Sequence, residues 1–110
     1  MNFKEYNSFI DSLPKSEISK LLLISMSEDM LKQRHEIWQK NYNKLKDTPE
    51  WIEKLKVRDS LLGKDIQSDE DNAKLEEIED WIDDVMLSEY FDILVSTYKN
   101  QSNLYYSLKV

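Results

Sequence analysis

The sequence contains no cysteine, and histidine and glycine each occur only once in its 110 residues. Without cysteine the chain has neither a disulfide framework, nor a thiolate zinc site, nor a cysteine nucleophile. The single glycine, Gly63, cannot build the glycine-rich loops that cradle nucleotide phosphates. Sheets need turn residues, and only two prolines accompany that glycine. These absences exclude several common enzyme classes and disfavour β-structure.

Long apolar segments are also missing. The longest apolar run covers residues 21–24, far short of the ~20 residues that a membrane span requires. Residues 1–13 carry Glu5 and Asp11 and lack the apolar stretch of a signal peptide. We therefore expect a cytoplasmic protein without a membrane segment.

The net charge of −7 is concentrated in one quarter of the chain. Residues 65–92 hold 12 acidic residues and one lysine, a balance of −11, whereas residues 15–64 carry a small positive excess. A concentrated charge of one sign attracts oppositely charged partners and repels phosphates. We expect a basic protein as partner and no direct binding to nucleic acid. The alternative is that the acidic residues only keep the protein in solution.

Apolar residues recur at three- and four-residue steps along the chain, which is the spacing of an amphipathic helix. Asn2, Thr48 and Ser68 are candidate N-caps, and Pro49 occupies the first helical position after Thr48. Gly63 is placed to end a helix in the left-handed conformation. The sequence predicts an all-α fold, a single domain over residues 1–110 built as a bundle of four to six helices.

Three stretches leave the number of helices open. Residues 15–47 form either one long helix or two, with a restart near residues 25–27. The apolar stripe changes register after Met86, which predicts a bend at residues 87–89. The polar residues 100–103 either continue the last helix or end it, leaving a packed tail.

Candidate catalytic and metal sites are weak. Residues 65–76 resemble an EF-hand loop in spacing, but Glu70 stands where the sharp turn needs glycine and Asn72 where a hydrophobic residue is usual. A helix cap at Ser68 explains the same residues. The single histidine, His35, lies among charged residues and indicates a surface position. We expect no enzyme activity, no cofactor and no metal.

A second pattern combines basic and aromatic residues. Six Lys and Arg residues between positions 40 and 58 alternate with Tyr42 and Trp51, a combination that can bind single-stranded nucleic acid. Asp47, Glu50 and Glu53 dilute this charge, and Trp51 falls on the apolar stripe. We expect Trp51 to pack in the core.

The strongest feature is the acidic helix that follows Ser68. At 100° per residue its apolar residues, Leu75, Ile78, Ile82 and Val85, share one face and leave the carboxylates outward. The expected partner-binding residues are Glu76, Glu77, Glu79, Asp80, Asp83 and Asp84, with Trp81 or Tyr90 as an aromatic anchor.

These observations favour a non-enzymatic interaction protein that binds a basic protein through the acidic helix. A small inhibitor or immunity-type protein acting as a nucleic-acid mimic fits this size and charge. The abundance of Lys and Asn is consistent with an AT-rich bacterium or its phage. Two alternatives stay open: a self-assembling helical protein, a homo-oligomer paired through the apolar stripe from Leu87 to Leu108, and a metal-binding regulator.

Overall fold

A computed structural model describes the backbone of residues 1–109 and the side chains of residues 1–102. Within this part of the chain the structure consists of helices and connecting turns, and no strand occurs. The predicted all-α bundle is confirmed. In chain order the five helices are α1 (Phe3–Asp11), α2 (Lys15–Ser25), α3 (Glu28–Leu45), α4 (Pro49–Leu62) and α5 (Asp69–Lys109).

Side chains at the predicted positions cap the helices. Asn2 accepts a hydrogen bond from the Glu5 N–H, and the Glu5 carboxylate accepts one from the Asn2 N–H. Thr48 caps α4, with Pro49 in its first turn. Ser68 and Asp71 bond reciprocally at the start of α5, with both donor–acceptor distances 3.1 Å. The cap at Ser68 is therefore confirmed.

The chain between residues 15 and 47 forms two helices. Ser27 is the N-cap of α3, because its hydroxyl accepts a hydrogen bond from the Met30 N–H at 3.3 Å. The restart lies at the edge of the predicted region, two residues after the Ser25 position that the capping-box pattern indicated. Only two residues, Met26 and Ser27, separate the two helices.

One expectation about a helix end is wrong, and one open alternative is resolved. Gly63 ends α4 with φ −77° and ψ −6°, in the right-handed region rather than the left-handed one. α5 does not end at residues 100–103 but continues to Lys109. No proline or glycine interrupts that stretch, so nothing in the backbone forces the helix to stop.

The other four helices pack along α5. Asn41 of α3 contacts Met86, the Trp51 ring of α4 contacts Trp81, and Lys64 contacts Asp71, so α3 and α4 run antiparallel to α5. α1 runs parallel to it, with Phe3 against Phe91 and Phe9 against Tyr98. α2 crosses at the level of Tyr98, whose hydroxyl donates to Glu17 at 2.5 Å.

The buried side of α5 changes along its length. Leu75 and Ile78 are buried towards the end where α4 packs, while Leu94 and Tyr98 are buried where α1, α2 and α3 meet. α5 is one continuous helix. The predicted change of register therefore corresponds to a different side of this helix being buried in its second half. Trp51 is in the core, as predicted.

Four residues of the stripe proposed for pairing with another copy are buried within their own chain: Leu87, Phe91, Leu94 and Tyr98. The side chains of Tyr105 and Leu108 lie outside the described residues. No helix in the described part of the chain combines the length and the apolar character needed to cross a membrane.

Candidate interaction surface

The predicted partner-binding residues lie on α5, but they do not form a single surface. Glu76, Glu79, Asp80 and Asp83 follow the spacing i, i+3, i+4, i+7, which places them on one side of the helix. We call these four residues the acidic stripe. At 1.5 Å per residue the stripe rises about 10.5 Å along the helix axis.

Glu77 points away from the acidic stripe. At 100° per residue it lies roughly 60° to 160° around the helix from the stripe residues. It lines a small cleft of about 140 Å³ between α4 and α5 together with Lys54 and Lys74. Its surroundings are thus mixed in charge, which separates it from the stripe.

Asp84 connects α5 to α1. Its Oδ1 atom accepts a hydrogen bond from the Phe3 N–H at 2.6 Å, so the carboxylate fixes the N-terminal end of α1 on α5. The side chain is half-buried. The expectation that all six carboxylates are exposed is wrong for Asp84, and also for Asp80 and Asp83, which are half-buried as well.

Asp83 occupies the most crowded position of the stripe. Burial raises the pKa of its carboxyl above the ordinary value, and the charge of Asp80 raises it further. Arg34 of α3 opposes this effect, while Asp84 and Glu79 add to it. The negative charges are therefore held together at an electrostatic cost.

Three other acidic residues of α5 form ion pairs within the chain. Asp71 lies 3.1 Å from the Lys64 ammonium, and Glu89 lies 2.7 Å from that of Lys40. Asp92 lies 2.8 Å from the Met1 ammonium. Among residues 1–102, no member of the acidic stripe has a salt bridge or a side-chain hydrogen bond. Asp69, Glu70 and Glu77 of α5 also lack such a partner in that range, so the stripe is distinguished by the four carboxylates that share one side of the helix.

The two proposed aromatic anchors differ in position. Tyr90 is only 5% exposed, so it is a core residue and cannot serve as an anchor. Trp81 is half-buried: its ring lies 5.9 Å from that of Trp51 between centroids, and the Lys54 ammonium lies 5.2 Å from its centroid. Trp81 is therefore partly accessible and packs against Trp51 and Lys54.

Other candidate sites can be placed as well. α5 begins inside the stretch that resembles an EF-hand loop, and Asp71 is taken up by the cap at Ser68 and by Lys64. In the part of the chain that the structure describes, no three His, Cys, Asp or Glu side chains lie close enough to hold a metal ion. His35 is exposed on α3, as expected.

Sequence reasoning missed two features. Asn41 is buried, and its amide donates a hydrogen bond to the Met86 carbonyl at 2.8 Å. Leu22 and Leu23 of α2 and Met26 just after it are large apolar side chains that are exposed. The run of four apolar residues at 21–24 signalled this group, because a helix cannot turn four consecutive side chains towards one core.

Comparisons of this chain with models of known protein families, with curated proteins and with solved structures find no match. Its function must therefore be argued from the surface itself.

Proposed function

We propose that the protein is a non-enzymatic interaction protein that binds a basic protein surface through the acidic stripe. One observation carries the proposal: four carboxylates without a salt bridge or a side-chain hydrogen bond among residues 1–102 share one side of α5, whereas Asp71, Asp84, Glu89 and Asp92 each have a partner within the chain. Uncompensated charge of one sign on a rigid helix favours an oppositely charged partner.

The spacing of the stripe supports the role of a nucleic-acid mimic. Four carboxylates over about 10.5 Å of helix axis give one charge per roughly 3.5 Å. A single strand of duplex DNA carries one phosphate per roughly 3.4 Å of axis. A basic surface that normally binds nucleic acid therefore finds a similar charge density on α5, which suits a small inhibitor or immunity-type protein.

The crowding at Asp83 is further support. Burial, and after it the charge of Asp80, raises the pKa of Asp83, so the ionised carboxylate at this position reduces the stability of the fold. Functional surfaces commonly carry such costs, because the binding chemistry and not the stability decides which residues stand there. The partly accessible Trp81 provides an apolar contact beside the charges.

Two variants with equal net charge test the proposal. The stripe variant carries Glu76→Lys, Glu79→Lys and Asp80→Lys. Asp83 is left unchanged because Arg34 already opposes its charge. The control variant reverses three exposed acidic residues on or beside α3 and α4: Glu36→Lys, Asp47→Lys and Glu53→Lys. Both changes raise the net charge from −7 to −1.

Affinity capture from a bacterial lysate at low and high salt, with wild type and both variants as bait, gives the comparison. We expect one basic protein to be captured by wild type and by the control variant, to be lost with the stripe variant, and to be released as salt screens the charges. Equal capture by the two variants would contradict the stripe as the binding surface. Circular dichroism spectra matching that of wild type establish that both variants fold.

A further inference from the structure

α1 lies in an aromatic groove on α5. The Tyr6 ring stacks on Phe91 with 4.6 Å between centroids, and Phe3 contacts the same ring at 6.0 Å. Phe9 meets Tyr98 edge-on at 5.9 Å. Phe91 and Tyr98 are each only 6% exposed, because α1 helps to cover them. Removal of α1 would open an apolar groove on the same helix that carries the acidic stripe.

α1 is the shortest of the five helices. It has nine residues, none of which is fully buried, although Phe3, Tyr6, Phe9 and Ile10 pack against the core. Helices this short are marginal in water when they stand alone, so α1 stays helical only while it is docked. Segments with few buried contacts open locally, at a lower free energy than the global unfolding of the protein. We expect α1 to leave the groove at a lower free energy than the buried part of α5 around Leu94 opens.

The rim of the groove is acidic. Asp84 accepts the hydrogen bond from the Phe3 N–H, and Asp92 pairs with the Met1 ammonium. Both carboxylates thus meet positively polarised groups at the N-terminal end of α1. Asp84 directly follows Asp83 but lies about 100° further around α5, so the rim adjoins the end of the acidic stripe without being part of it.

We propose that α1 is a displaceable occupant of this groove, and that an amphipathic helix of the basic partner takes its place. The partner helix presents apolar or aromatic residues at three- and four-residue spacing, as α1 does, and Lys or Arg side chains to Asp84 and Asp92. This inference rests on the proposed function, because it names the part of the basic partner that would enter the groove beside the stripe.

Hydrogen exchange on the wild-type protein tests the first half without any partner. We expect the amides of α1 to be protected at least about 100-fold less than those of the buried part of α5 around Leu94, since α1 opens locally. Equal protection in the two helices would show that α1 leaves only when the whole protein unfolds, and would overturn the proposal. This outcome would leave the comparison of the stripe and control variants unaffected.

A peptide probe tests the second half. The probe is a synthetic peptide of residues 1–14, whose Phe3 N–H and Met1 ammonium can meet Asp84 and Asp92, and its binding is followed by fluorescence anisotropy. The chain with Phe9→Ala and Ile10→Ala should bind the peptide roughly tenfold more tightly than wild type, because its own α1 competes less well. Adding Asp84→Asn and Asp92→Asn should reduce that affinity. Equal affinity of the first variant and wild type, no binding to either, or equal binding of a scrambled peptide would overturn the proposal.

Discussion

A buried hydrogen bond joins Asn41 of α3 to the backbone of α5. Among the described side chains, Asn41 is the polar residue buried in the core, at 9% exposure, and its Nδ2 atom donates to the Met86 carbonyl at 2.8 Å. Inside a continuous α-helix the same carbonyl also accepts from the Tyr90 N–H. Met86 therefore keeps one hydrogen bond when the amide of Asn41 is removed.

Three substitutions separate the contributions. Asn41→Leu keeps the branching of the side chain but enlarges it, and it loses one hydrogen bond of about 0.5–1.5 kcal/mol. The new apolar contact partly offsets that loss, so the net cost should be about 1 kcal/mol. Asn41→Ala leaves a void as well, and should cost about 2 kcal/mol. Asn41→Asp turns a carboxylate towards a carbonyl oxygen with no donor between them, which should cost roughly 3–5 kcal/mol as an uncompensated buried charge.

Urea denaturation followed by tryptophan fluorescence at neutral pH measures all three losses. The deficit of the Asn41→Asp variant should shrink as the pH falls, because burial raises the pKa of the new carboxyl and protonation restores a donor. The reasoning is refuted if Asn41→Leu proves the most damaging change, or if Asn41→Asp is as stable as wild type.

Three further outcomes follow from burial and charge. Ile82→Ala should cost about 2 kcal/mol in urea denaturation, near the low end for such changes because Ile82 is half-buried, whereas the exposed Glu79→Ala should stay within about 0.5 kcal/mol; a larger effect of Glu79→Ala would mean that the sides of α5 are wrongly assigned. Asp83→Asn should raise the melting temperature at neutral pH, because burial raises the pKa of Asp83 and its ionised form is disfavoured in the folded state. The gain should vanish at acid pH, where Asp83 is protonated. A drop in melting temperature at neutral pH would contradict this reasoning. Glu17→Gln should lower the melting temperature at neutral pH, since the hydrogen bond from Tyr98 and then that from Lys20 lower the pKa of Glu17. The difference in melting temperature from wild type should disappear below about pH 4, where the carboxylate is protonated. A difference that persists there would contradict the pKa shift as its cause.

Features that depend on neighbours in sequence could be predicted. The caps at Asn2, Thr48 and Ser68 use backbone N–H groups three residues ahead, so the residue types alone indicate them. The same holds for the amphipathic spacing that places Leu75 and Ile78 on the buried side of α5. Gly63 is the exception, because glycine at a helix end permits the left-handed conformation without requiring it.

Features that depend on residues far apart in sequence could not be predicted. Asp84 is one of many acidic residues in its segment, and only its contact with Phe3, 81 residues away, gives it a different role. Tyr90 looked like an exposed aromatic residue because the helices that cover it come earlier in the chain. The groove under α1 has the same origin, since Phe3, Tyr6 and Phe9 predict an amphipathic helix but not the surface that receives it.

The most direct test of the central claim is the dissociation constant of the captured basic protein for wild type, the stripe variant and the control variant, measured by calorimetry at one salt concentration. Each exposed pair contributes only about 0.2–1 kcal/mol, and reversal replaces attraction by repulsion, so three reversals should weaken binding by roughly 10- to 1000-fold. The control variant, with the same net charge, should bind within about threefold of wild type, since its reversed charges lie outside the contact. Equal weakening of both variants would show that the partner responds only to total charge, and would contradict a defined binding surface on α5.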